Sequence, residues 1–375
     1  HRTIFRAVAQ LSDGGKPCDA VTVTEWFESH GLVDQVDGGA YISQLASNTP
    51  SAANVRAYAE IVREKSILRQ LIDVGADITS GAFSLEGKSS RELLEEAERM
   101  VFAIADQGQR SGSNFISVQS AINEAIEKIQ ELHEHEGEIT GIPTGFNDLD
   151  KMTAGLQDSD LIIVAGRPAM GKTTFAMNIA ENAAIKSEKA VAVFSMEMSA
   201  VQLVMRLFSS LGQIDQTRLR TGNLDEMDWP KLTSAMTLLH KSKIFIDETA
   251  SLSPAELRAR SRRLKREHDI GLIVVDYLQL MAVPGSSENR ATEISEISRS
   301  LKAIAKELHV PVIALSQLNR ALEQRPDKRP VMADLRESGA IEQDADLIVF
   351  IYRDEVYHKE QEENKGKAEI IIGKH

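Results

Sequence analysis

The sequence predicts an N-terminal all-α bundle joined by a linker helix to a C-terminal α/β domain built on a mainly parallel sheet. Three observations carry that expectation. Residues 1–107 space their apolar positions helically and hold no strand-like run. From Gly141 onward, short and nearly continuous apolar runs alternate with helical segments, as strands buried on both faces require. Between the two, residues 108–140 hold a single amphipathic segment flanked by polar stretches. At about 150 residues per domain, the 375 residues allow two to three such units.

Composition narrows the classes of function. Hydrophobic residues make up 42%, charged residues 26% and aromatic residues 5%, the balance of a soluble globular protein rather than a disordered or membrane one. A single cysteine excludes a disulfide framework or a Cys-based metal cluster and points to a reducing compartment. No apolar run approaches the roughly 20 residues of a bilayer span and no signal pattern opens the chain, so the expectation is cytoplasmic with no membrane partner. The net charge of −13 repels polyanions at long range, so a nucleic-acid partner would need a local basic surface. The chain starts at His1 inside a helical pattern (Ile4, Phe5, Val8, Leu11) and stops just after Ile370, Ile371 and Ile372, so both ends read as cut.

In the N-terminal part, Asp19 can cap a helix through Trp26 and Phe27, and Ser51 opens a long one carrying Val55, Tyr58, Ile61, Val62, Leu68 and Ile72. Ser89 and Glu92 form a capping box ahead of Leu93, Leu94, Ala97 and Val101. No catalytic constellation occurs there. Residues 107–114 read as a linker. The amphipathic helix follows from Ser117 to Glu134, with Val118, Ile122, Ile126, Ile129 and Leu132 on one stripe. A stripe with no sequence neighbour to cover it must dock, and its own chain and an adjacent subunit are equal candidates.

The strands are expected at Leu161–Ala165, Ala190–Ser195, Lys243–Asp247, Leu272–Asp276, Val312–Ser316, Leu347–Tyr352 and Ala368–Ile372. Directly after the first comes Gly166-Arg167-Pro168-Ala169-Met170-Gly171-Lys172-Thr173, which fits G-x-x-x-x-G-K-T and leads through Thr174 into a helix with Phe175, Ile179 and Ala183. Main-chain amides and the helix start can hold phosphates, Lys172 can serve the β and γ phosphates, and the Thr173 hydroxyl can ligate Mg²⁺. Ligands of open α/β sheets sit at the carboxyl ends of strands, so those ends are the place to look for the rest. Asp276 suits a carboxylate that holds Mg²⁺ through water, with a turn cap as the lesser reading. Glu197 can polarise the attacking water, with a surface turn residue as its rival. Gln317 can sense the γ phosphate.

Weaker signals include the basic helical stretch Glu256–His268, more in keeping with a solvated or subunit-contacting face than with a nucleic-acid groove. His133 and His135 have the wrong spacing for zinc on one helix face. Residues 320–339 carry Arg320, Arg325, Lys328, Arg329 and Arg336 among nearly balancing acids, either a functional loop or simply a long surface one.

Five ordered segments, Gly166–Thr173, Phe194–Met198, Asp276–Leu280, Ser316–Arg320 and Asp334–Gly339, together with Asn48–Asn54, resemble the bacterial replicative DNA helicases of the DnaB type over nearly the whole chain. The resemblance implies a RecA-like P-loop ATPase domain, ATP and Mg²⁺ as cofactors, and a homohexameric ring moving 5′ to 3′ on single-stranded DNA. It implies that Glu197 activates water, that Gln317 couples nucleotide state to the DNA loop, and that Arg336, Glu337 and Gly339 lie where DNA is held. Lys374 falls in the family's basic finger towards a neighbouring γ phosphate, with the expected arginine beyond His375. Primase and a helicase loader are the implied partners, and the resemblance tips the linker helix towards a neighbouring subunit. A RecA-like recombinase filament and a nucleotide-regulated assembly ATPase are the rival readings.

Overall fold

A computed structural model of the chain divides into two compact units, His1–Ala125 and Ile126–His375. The structure describes residues 1–48, 55–84, 139–283, 290–335, 339–358, 360 and 362–375, with separate positions between 87 and 130. Ser51, Glu92, the 107–114 linker, His133 and His135 lie outside the described residues.

The first unit is helical. Helices α1 (Arg2–Asp13), α2 (Ala20–Ser29) and α3 (Ala40–Asn48) enclose a small core of Ala7, Leu11, Val23, Phe27, Val36 and Ile42. Asp19 caps α2 as expected, its carboxylate accepting from the Val21 and Thr22 amides at 3.0 and 2.9 Å. Helix α4 (Val55–Phe83) is the expected long one, but its apolar positions Tyr58, Ile61, Val62, Leu68 and Ile72 are exposed. The linker segment is helical at each described position from 118 to 130, and Val118, Ile122, Ile126 and Ile129 are exposed too.

The second unit is a seven-stranded sheet flanked by helices. Its elements run α5 (Asn147–Thr153), β1 (Leu161–Gly166), α6 (Lys172–Ile185), β2 (Ala190–Ser195), α7 (Ala200–Gly212), α8 (Gln216–Thr221), α9 (Asp228–Lys241), β3 (Ile244–Asp247), α10 (Pro254–His268), β4 (Ile270–Asp276), α11 (Arg290–Leu308), β5 (Val312–Gln317), α12 (Gly339–Asp344), β6 (Leu347–Tyr352), α13 (Asp354–Tyr357) and β7 (Glu369–Lys374). The order across the sheet is β3-β2-β4-β5-β1-β6-β7, parallel except for β7 against β6. All seven expected strands form. Strand β7 runs past Ile372 because its pairing continues as far as Lys374 opposite Ile348.

Alternation along each strand divides the core between the two faces. In β1, Leu161, Ile163 and Ala165 enter one cluster while Ile162 and Val164 enter the other. Each fully buried Leu or Ile contributes about 1.5–3 kcal/mol, which makes this sheet the rigid base of everything at its edge.

Two charged stretches are bound within the unit. In α10, Arg258 and Arg262 both meet Glu307 of α11, and Arg260 donates to Asp247 at the end of β3. After β5, the expected long loop is folded closed: Leu318 bridges Leu335, Leu322 and Leu335 are buried, and Arg325 donates to the buried Asp334 at 2.7 Å.

Candidate active site

Strands β2, β4, β5 and β1 are consecutive neighbours in the sheet, about 4.8 Å apart, so their carboxyl ends form one continuous ledge. The chain crosses from β1 over β5 and β4 to reach β2, and such a reversal of strand order opens a crevice at those ends. Four sequence candidates stand on this ledge. The glycine-rich loop follows β1, Glu197 follows β2, Asp276 ends β4 and Gln317 ends β5.

The loop after β1 curls tightly, with Ala169 at φ 66° and Gly171 at φ 95°. Positive φ at Gly171 turns the chain straight into α6, a position where a side chain would add strain. Helix α6 starts there without any side-chain cap, so its first amides stay available to an anion. The Lys172 ammonium donates to the Gly166 and Arg167 carbonyls at 3.0 and 3.4 Å, within the loop it would share with phosphates. Burial pushes its pKa below the usual lysine value, opposed by the carboxylates of Asp276 and Glu197.

The Thr173 hydroxyl donates to Asp276 Oδ2 at 2.8 Å. Burial pushes the Asp276 carboxyl upward; the Thr173 bond opposes this, the nearby Glu197 adds to it, and Lys172 and Arg206 oppose it. Two hard oxygens converging beside the phosphate loop suit Mg²⁺, so this donor set fits the metal. Glu197 is exposed at the tip of a turn that the Ser195 hydroxyl closes on Met198, donating to its carbonyl at 2.8 Å and accepting from its amide at 3.2 Å.

Several sequence candidates have side-chain partners elsewhere in the chain. The Arg167 guanidinium, only 8% exposed, donates instead to the Leu318 carbonyl at 2.9 Å and to Glu323 at 2.8 Å, so only its main chain stays with the loop. The Thr174 hydroxyl accepts from Arg206 at 3.0 Å. Lys374 donates to the carbonyls of Glu342 and Ala345 at 2.8 and 2.6 Å. Gly339 opens α12, while Arg336 and Glu337 lie outside the described residues. Sequence reasoning missed Arg206 and Arg353, whose guanidinium donates to the Ala169 carbonyl at 3.3 Å. Neither belongs to a spaced motif; each arrives from a separate helix or strand end.

Comparison with known proteins settles the family. A family model described as the DnaB-like helicase C terminal domain matches residues 141–375, and one for the N terminal domain matches residues 1–64. The chain belongs to the DnaB-like helicase family. It is 56% identical over 380 residues to the replicative DNA helicase DnaB of Haemophilus influenzae, covering 100% of this chain and 81% of that protein. It is 51% identical over 375 residues to the replicative DNA helicase DnaC of Bacillus subtilis, covering 100% and 82%. A solved DnaB-like replicative helicase, described with its interactions with primase, superposes at a TM-score of 0.78 with 33% identity, covering 100% of this chain and 86% of that one. A second solved structure, described as an ATPase domain, superposes at 0.66 with 40% identity, covering 70% and 92%. Replicative DNA helicase is therefore the function of this chain, an ATP-driven activity. The DnaB-like fold, a helical N-terminal region plus a mostly parallel seven-stranded domain, is the one the sequence predicted. Among the described residues, no helix is long and apolar enough to cross a membrane.

Proposed function

We propose that this helicase hydrolyses ATP with Mg²⁺ at the β1–β5–β4–β2 ledge and works as a homohexameric ring moving 5′ to 3′ on single-stranded DNA. The observation that carries the chemistry is the 2.8 Å contact of Thr173 with Asp276 beside the uncapped start of α6. Bound at those two oxygens, Mg²⁺ would supply charge neutralisation on the phosphate oxygens.

The chain's own groups do the rest. The α6 amides and Lys172 hold the phosphates; Lys172 exchanges its Gly166 and Arg167 carbonyl partners for them. Glu197 orients the attacking water and accepts its proton as the water–phosphorus bond forms and the bond to ADP breaks. Gln317 reports the change to the segment that follows β5. Lys374, by family resemblance, serves a neighbouring subunit's γ phosphate once released from its Glu342 and Ala345 carbonyls.

The same proposal covers the division into residues 1–107, 108–140 and 141–375, Arg336, Glu337 and Gly339 as DNA contacts, a cytoplasmic setting, and primase and a loader as partners. The exposed stripe Val118, Ile122, Ile126 and Ile129 supports docking of the linker helix on a neighbouring subunit.

The test is unwinding of 5′-tailed and 3′-tailed forks with ATP. Wild-type chain is expected to open only the 5′-tailed fork, and Lys172→Ala to lose both turnover and unwinding. Robust unwinding by that variant would remove the site; a preference for the 3′ tail would reverse the direction. Filaments, or ATP turnover that ignores single-stranded DNA, would favour the recombinase or the assembly ATPase instead.

A further inference from the structure

Ladder pairing between β4 and β5 stops at Val275 opposite Ala314, one residue before Asp276 and three before Gln317. Beyond that point the β4–β5 ladder does not continue: the Tyr277 carbonyl accepts from the Leu280 amide at 3.0 Å, and the Gln317 amide turns to a side chain. One side chain bridges the gap. The Gln279 amide nitrogen donates to the buried Ser316 hydroxyl at 3.1 Å and to the Gln317 carbonyl at 3.5 Å, while its oxygen accepts from the Gln317 amide at 3.2 Å. A primary amide has the donor and acceptor of a peptide group, so Gln279 adds a surrogate rung to the ladder.

Its own main chain is held as well. Gln279 lies in the short 3-10 turn Leu278–Leu280, and Arg290, at the start of α11, donates to the Gln279 and Met281 carbonyls at 2.9 and 3.2 Å. The rung thus connects three things: the strand end bearing Asp276, the strand end bearing Gln317, and the first turn of α11. None of these bonds reaches nucleotide; the side chain acts through Gln317.

We propose that Gln279 is a positioning residue that locks Gln317 to the Asp276 strand end, so that nucleotide state in the crevice reaches the segment after β5. This rests on the helicase reading above. Without the rung, nucleotide still binds at the β1 loop, but the end of β5 no longer moves with the metal-bearing strand end.

Gln279→Met tests this, because methionine keeps the length and volume and has no amide. In the full-length chain, the expected result is an ATP KM and a DNA-free turnover within about threefold of wild type, with stimulation by single-stranded DNA reduced at least about tenfold. Adding Gln279→Met to Gln317→Ala is expected to cost little beyond Gln317→Ala alone, since both break one link. Gln279→Glu keeps an acceptor for the Gln317 amide and a partner for the Ser316 hydroxyl, so it should recover part of the stimulation, and it decides the matter if the methionine variant does not fold. Wild-type stimulation in Gln279→Met, multiplying losses in the double variant, or no recovery in a folded Gln279→Glu would overturn the proposal. A wild-type chain that shows no stimulation by DNA would overturn the underlying reading instead.

Discussion

Asp150 is 3% exposed and accepts three hydrogen bonds, from the Thr144 amide at 2.8 Å, the Thr144 hydroxyl at 2.7 Å and the Gly145 amide at 3.2 Å. Asn182 on α6 then donates to the Thr144 carbonyl at 3.1 Å, and Gly145, at φ 85°, leaves room for that amide where a Cβ would strike it. One carboxylate therefore stitches the entry of the ATPase unit to the helix that begins at the phosphate loop. Asp150→Ala strands buried donors, each costing about 1–3 kcal/mol, so urea unfolding followed by circular dichroism should show the C-terminal unit destabilised by about 2–4 kcal/mol. Asp150→Asn, which retains one acceptor, should lose less; equal stability of Asp150→Ala and wild type would mean the turn holds without it. Lys172 and Thr173 were legible in the sequence because a glycine-rich loop between strand and helix fixes the backbone that presents them, and Asp276 because it ends an apolar strand. Asp150 was not, since its partners depend on a turn that no motif marks. The side-chain partners of Arg167, Leu318 and Glu323, were not legible either, because they lie on another strand's exit and become neighbours only through the β1–β5 pairing.

Among the elements, the strands were the most legible, because residues buried on both faces must be apolar throughout and the sequence shows that directly. Helix faces were less so. The stripe of α4 is as apolar as a core-facing one, yet it is exposed among the described residues, because periodicity reports that a face needs cover and not which partner supplies it. Charge on α10 did not show its partner either. Its basic stretch reads as a solvated or subunit-contacting face, but Arg258 and Arg262 converge on Glu307, itself one-fifth exposed, and clamp α10 to α11. Charge-assisted pairs of this kind, partly shielded from water, exceed the value of exposed ones. Glu307→Ala should therefore lower unfolding free energy by about 1–2 kcal/mol, with a smaller loss for Glu307→Gln, as read by urea titration. A change within error for Glu307→Ala would mean the clamp is no stronger than an ordinary surface pair. The segment after β5 is ordered for a similar reason: Arg325 is taken by Asp334, and Arg329 by Glu369 at 2.6 Å, so two of its basic residues serve the fold.

At the scale of the molecule, the net charge of −13 opposes binding to a polyanion, and the described basic residues are in good part paired internally. A replicative helicase must nevertheless hold DNA. The proposed ring would reconcile the two: the strand would meet only the pore, where short-range cations would repeat once per subunit, and acidic residues outside it would repel nucleic acid. That arrangement has a measurable signature. With one phosphate contact per subunit of a hexamer, about six in all, single-strand binding should weaken with salt at a slope of about −4 in log K against log [KCl]. Anisotropy of labelled oligonucleotides, measured with a non-hydrolysable ATP analogue, reads that slope, and it should be the same for different base compositions because phosphates carry no sequence. A slope near zero would place DNA recognition on bases or stacking rather than on a cationic pore. A slope of about −0.7 would mean that a single subunit binds alone, and the ring would no longer be needed to explain how so acidic a protein engages DNA.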